Sequence, residues 1–295
     1  MLHSIQDVVN SYGQFLEVKY PTLHKKYQQR LEAQPEAARA EALACAFLRG
    51  DGYKVTVSED VATGGVDFLC VGRQGQMLIE IACLLTETVS QHSSWPKETP
   101  EGAFGFRRIT DVVRGCVSGK TAQLANQPIP RVLMIVSEHP GASVLLGPNG
   151  AEAAMTSNTK LSFPVNVPNP EVSVITNLEE SVFFRFAKDR RVEPCRKSIS
   201  AVLLVAADPE KLLVVGLLHP APAIAFNIAL LPRVPFLRTS NWPFAEGRIE
   251  TEWIMGQPKA HQSFHWSITL TDQELKNLGD SVSGTKGTGT FGTSA

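Results

Sequence analysis

GGVDFLCVGRQGQMLIEIACL, residues 64–84, carries only three charges, Asp67, Arg73 and Glu80, in an otherwise apolar or small-residue stretch. The runs VDFLCVGR and QMLIEIACL are short and rich in β-branched and apolar residues, and the glycine between them predicts a hairpin. With Gln74 and Gly75 as the two central turn residues, Arg73 pairs with Gln76, Asp67 with Ala82 and Leu69 with Glu80. Asp67 and Glu80 then share one sheet face as diagonal cross-strand neighbours, close enough for their carboxylates to converge. Leu69, Val71, Leu78 and Ala82 accompany them, while Val66, Phe68, Cys70, Met77, Ile79, Ile81 and Cys83 form the other face. With both faces apolar, the sheet has to be covered on both sides. Two carboxylates in that setting require a partner, because an unpaired buried charge is costly.

Working outward, PEAARAEALACAFL starts with Pro35 and sets Ala40, Leu43, Ala44, Phe47 and Leu48 on one helical face, stopping near Gly50 and Gly52. KVTVSED, residues 54–60, predicts a strand before the hairpin. Residues 86–105 read as a polar loop. FRRITDVVRGCVSGKTAQLAN, residues 106–126, returns to helical periodicity, and RVLMIVSEH predicts one more strand. At 100° per residue, Phe106, Ile109, Val113, Val117 and Leu124 form one stripe that includes Lys120, with Gln123 beside it. A lysine inside an apolar stripe either snorkels to solvent or serves a partner on the sheet. GCVSGKT, residues 115–121, lacks the spacing of a phosphate-binding loop, since three residues rather than four separate its glycines.

The chain's 295 residues, 43% apolar and 19% charged, predict a globular protein with a full core, and no apolar run approaches a membrane span. MLHSIQDVV shows neither a basic region nor a cleavage site, so a cytoplasmic protein is expected. Five scattered cysteines suit reduced core thiols better than disulfides. A formal net charge of −1 removes the simplest argument for nucleic-acid binding and leaves room only for a local basic patch.

The expected organisation is an N-terminal helical segment (1–35), an α/β core of order αβββαβ (36–140), an extension of undefined structure (141–195), a β-rich C-terminal region (196–280) and a flexible tail (281–295). Within the C-terminal region, SISAVLLVAADPEKLLVVGLL predicts two strands about an Asp-Pro turn and a second β-rich layer. His261 and His265 stand four apart, but no glutamate follows His261, and core or surface roles suit them better than metal ligation.

A divalent cation is one partner for the two acids, and hard oxygen ligands suit magnesium or manganese. The order of elements, the glycine-rich approach to Asp67, and Asp67 followed thirteen residues later by Glu80-Ile81-Ala82 resemble the PD-(D/E)xK nuclease superfamily, particularly the archaeal Holliday-junction resolvase type. The resemblance covers roughly residues 36–140 and implies a restriction-endonuclease-like mixed sheet flanked by helices. It further implies magnesium or manganese on Asp67 and Glu80, a glutamate contributed by the preceding helix at Glu41, and hydrolysis of DNA or RNA. Val66 stands where the family often has proline, and Ala82 where the motif lysine belongs. Some members carry that lysine on the following helix, a place matched here by Lys120, with Gln123 alongside. Nucleic acid is the implied partner, a membrane is not, and a homodimer stays open. A binding or assembly module on a decayed nuclease fold is the second reading.

Overall fold

The computed structural model describes residues 4–58, 66–98, 109–120, 128–156, 159–162, 173–176, 181–189, 191–208, 211–243 and 249–255. Three helices open the chain: α1 (Ile5–Lys19), α2 (Pro21–Ala33) and α3 (Pro35–Gly50). Ser4 and Asp7 form a reciprocal capping box that satisfies the first amides of α1, and proline, which has no amide to leave unpaired, starts both α2 and α3. Strands β1 (Lys54–Val57), β2 (Phe68–Gly72) and β3 (Gly75–Cys83) follow, then α4 (Thr86–Ser93), α5 (Thr110–Lys120) and β4 (Arg131–Ser137). Next come α6 (Ala142–Leu145), α7 (Pro148–Thr156), β5 (Thr159–Ser162), β6 (Ser173–Thr176), β7 (Phe184–Phe186) and β8 (Val192–Pro194). The last strands are β9 (Ala201–Asp208), β10 (Lys211–Leu218), β11 (Phe236–Thr239) and β12 (Thr251–Ile254).

Eight strands form one mixed sheet in the order β1-β2-β3-β4-β9-β10-β11-β12, while β5-β6 and β7-β8 are separate two-stranded ladders. The centre is parallel, with β3 beside β4 and β4 beside β9, and antiparallel pairs lie toward both edges. β4 and β9 are buried along nearly their whole length, as expected of strands covered on both faces. One face packs on α1, α2 and α3 through Tyr12, Leu16, Leu43 and Phe47 against Phe68, Met77, Ile79 and Met134. The other packs on α4 to α7 through Val89, Val113, Val117 and Met155 against Leu78, Ala82, Leu133 and Ile135. The molecule is therefore an α/β protein with helices on both sides of a mixed sheet. No described helix is long and apolar enough to cross a membrane.

Four sequence expectations change. The β2–β3 hairpin turns one residue earlier, at Arg73-Gln74, so that Gly72 pairs with Gly75 and Leu69 with Leu78. Its glycines have other duties than the central turn position. Gly75 holds φ +133°, which L side chains rarely adopt, and a Cβ on Gly72 would come within 2.8 Å of the Tyr53 ring. The resulting two-residue slip keeps the strand faces as expected, because side chains alternate with a period of two. Val66, just outside β2, packs with the α4–α7 side rather than with Phe68. Residues 86–93, expected as loop, form α4, whose Val89 and Ser93 are buried one turn apart. Finally, the strands expected as a second layer continue the first sheet, because β9 adds in parallel to β4, and β10 pairs antiparallel with β9. Within the expected 106–126 helix, residues 110–120 are helical, which also removes the loop that a phosphate-binding reading of 115–120 requires. Gln123, His261, His265 and the tail 281–295 lie outside the described residues.

Candidate functional site

Asp67 precedes β2 by one residue, and extending the ladder one step from Phe68↔Ile79 sets it opposite Glu80. The two acids are thus direct cross-strand neighbours, closer than the diagonal pair expected from the sequence. The Asp67 backbone carbonyl accepts from Ser58 N–H at 3.0 Å, and its Oδ2 accepts from Ile81 N–H at 2.7 Å. The side chain thereby takes over a ladder hydrogen bond beyond the end of β2, which fixes the carboxylate against β3.

Glu80 sits mid-strand, paired with Leu133 of β4 on its other side, and is only 2% exposed. Its Oε1 lies 2.6 Å from Nζ of Lys120, whose side chain is 31% exposed. Lys120 ends α5, and Ile109, Val113 and Val117 below it are buried against the sheet, so the described part of the stripe read from the sequence carries the lysine onto Glu80. A cation in the last helical turn is also favoured by the carbonyl dipoles there. Ala82, two residues beyond Glu80, shares that face and is itself buried.

Burial first, and the Glu80 carboxylate second, push the Asp67 carboxyl up to about 7; Glu41 adds to the rise, while the Ile81 hydrogen bond and the Lys120 ammonium oppose it. Two acids against one ammonium leave a net negative charge in a largely buried place, which a divalent cation would relieve. Among the described residues no group of three or more His, Cys, Asp or Glu side chains is placed to hold a metal. Magnesium, which keeps several waters and is bound through one or two carboxylates, still fits a pair. The donors are all oxygens, which suits magnesium or manganese and not a thiolate-preferring metal.

Glu41 lies in α3 on the other side of the sheet layer. Tyr12 O–H donates to its Oε1 at 2.5 Å, and Arg30 Nη1 to its Oε2 at 2.6 Å. The structure thus brings Asp67, Glu80 and Lys120 together, with Glu41 near enough to act on Asp67 electrostatically but engaged by α1 and α2. Sequence reasoning missed Tyr12, Arg30 and the Ile81 amide. Neither helical donor has a local signal, since Tyr12 reaches across 29 positions and only the packing of three helices supplies the contact.

A second pair of reactive side-chain types, Ser90 and His139, meets at 3.1 Å between Oγ and Nε2. Gly141 N–H donates to His139 Nδ1 at 2.9 Å, which leaves the ring proton on Nε2, facing the serine. Burial pushes the ring's pKa below the ordinary histidine value. The neutral ring is a donor here and cannot serve Ser90 as a base. Comparison with family models, curated proteins and solved structures finds no match to this chain.

Proposed function

We propose that the chain is a metal-dependent phosphodiesterase acting on nucleic acid, with a PD-(D/E)xK-like site on a restriction-endonuclease-like core. The observation that carries this reading is the meeting of Asp67, Glu80 and Lys120 at the start of β2 beside β3, with the Asp67 carboxyl pushed up to about 7. Asp67 and Glu80 would hold magnesium or manganese, which supplies a hydroxide nucleophile and neutralises phosphate charge when bound. Ile81 N–H orients Asp67 for that task. Lys120, carried by the helix rather than by position 82, stands beside Glu80 where negative charge builds on the phosphoryl oxygens and offsets it. Glu41 acts through the field it places on Asp67.

The Lys120–Glu80 ion pair also favours a second reading, in which the lysine only satisfies a buried acid and the fold serves as a nucleic-acid or protein-binding module. Cleavage assays separate the two. Under the first reading, single-stranded, duplex or branched nucleic acid is cut with magnesium or manganese and not in EDTA, and Lys120→Met lowers the rate by roughly a hundredfold, the scale for one preorganised charge. Absence of cleavage of all three substrates would leave the binding module.

A further inference from the structure

The β7–β8 hairpin stands apart from the eight-stranded sheet and carries a charge unlike that of the whole chain. Residues 185–197, RFAKDRRVEPCRK, hold six cations (Arg185, Lys188, Arg190, Arg191, Arg196, Lys197) and two acids (Asp189, Glu193) in a protein whose formal net charge is −1. Both acids are taken within the hairpin. Arg185 pairs across the strands with Glu193 at 2.6 Å, and Arg191 pairs with Asp189 at 2.5 Å. A surplus of four cations remains. Lys188 in the turn and Lys197 after β8 are both exposed.

An aromatic ring interrupts this basic strip. Phe184 and Phe186 point to the same side of β7, yet Phe184 is buried against Trp242 with ring centroids 5.3 Å apart, while Phe186 is 41% exposed. The hairpin therefore overhangs the body by one strand step, and the overhanging position carries a ring rather than a polar residue. At its base, Arg196 adopts φ 57°, an uncommon conformation for a side-chain-bearing residue. From there its Nη1 donates to the Val182 carbonyl at 2.6 Å and its Nε to Ser118 Oγ at 2.9 Å. Ser118 lies on α5 two residues before Lys120, about 3 Å along the helix axis. The base of the hairpin is thus fastened to the last turn of α5, the helix that carries Lys120.

We propose that the β7–β8 hairpin is an arm that binds single-stranded nucleic acid, stacking an unpaired base on Phe186 and neutralising phosphates with Lys188 and Lys197. Interleaved rings and cations match the alternation of bases and phosphates along a strand, and stacking needs no particular sequence. The inference rests on the phosphodiesterase reading only for where the strand leads, which is along α5 to Asp67, Glu80 and Lys120.

Fluorescence anisotropy with labelled oligothymidylate, oligouridylate and a DNA duplex, in EDTA over a salt series, tests the arm without any cleavage. Wild-type protein should bind a single strand more tightly than the duplex, the two single-strand probes reporting DNA against RNA. Lys188→Ser with Lys197→Ser should lower the log Kd–log salt slope by about 1.4, two phosphate contacts at about 0.7 each. Phe186→Ser should weaken binding about tenfold with the slope unchanged. Circular dichroism and melting confirm that each variant is folded. Equal binding and slope in wild type and hairpin variants would overturn the arm, as would tighter binding of the duplex or binding of none of the probes; a purely protein-binding hairpin would give the last result. Arm-dependent binding without cleavage in magnesium or manganese would sink the phosphodiesterase and leave the arm standing. Cleavage insensitive to the hairpin variants would do the reverse.

Discussion

Replacing Asp67 by asparagine should stabilise the metal-free protein, an outcome opposite to that expected for a structural ion-pair acid. Asparagine keeps an oxygen to accept from Ile81 N–H, which now bonds Asp67 Oδ2 at 2.7 Å, and deletes the charge facing Glu80. The folded carboxyl titrates at about 7 against 3.8 for the ordinary group, so the folded state holds the proton more tightly than the unfolded chain. Stability from this residue is then greatest below pH 4, falls as the pH rises toward 7, and stays low above it. About three pH units at 1.36 kcal/mol each give a ceiling of about 4 kcal/mol. For a chain of this size each kcal/mol moves Tm by about 2–4 °C. Thermal melts in EDTA at pH 8 should therefore place Asp67→Asn several degrees above wild type, with the gap narrowing at pH 5 and closing below pH 4. Magnesium or manganese should raise the wild-type Tm and leave the variant's unchanged, because only the native carboxylate pair binds the ion. A variant less stable than wild type at pH 8 in EDTA would refute the reasoning and make Asp67 a structural acid.

Lys120→Met removes the ammonium from a Glu80 that is 2% exposed and should cost about 2–3 kcal/mol in urea melts, discounted for the lysine's partial exposure; adding Glu80→Gln should recover most of it. His219 donates from Nε2 to the Cys195 carbonyl, accepts from Ala221 N–H on Nδ1, and is pushed down by burial to about 4 from 6.5. Its unfolded form binds the extra proton between those values, so the unfolding free energy from urea melts should fall as the pH drops from 6.5 to 4, by at most about 3 kcal/mol, and His219→Gln should flatten that slope. Gly216→Ala builds a Cβ into the Phe236 ring on the neighbouring strand and should destabilise by about 1–3 kcal/mol in the same assay.

The strand faces around Asp67 and Glu80 were legible because alternation survives an error of two in register, and the Val113-Val117-Lys120 stripe because helical spacing is local. The turn position was not, since the duty of Gly72 is set by Tyr53, a ring from another strand's entry, and a glycine's neighbours do not declare which demand it answers. Helix α4 was hidden by polar composition; its signal reduces to Val89 and Ser93 at one-turn spacing. The place of β9 beside β4 was also hidden, because apolar runs announce burial on both faces but not which strand lies alongside. The basic surplus of residues 185–197 stood in the sequence, diluted by a neutral chain total.

The β4–β9 ladder sets a schedule for synthesis. Val132 pairs with Ala201, so β4 emerges from the ribosome with β3 on one edge and nothing on the other until about 70 more residues have followed. At about 5–20 residues per second that is roughly 4–14 seconds during which a seven-residue apolar strand offers an open parallel edge. The nascent chain is most prone to wrong strand pairing in that interval, and chaperone dependence should be greatest there.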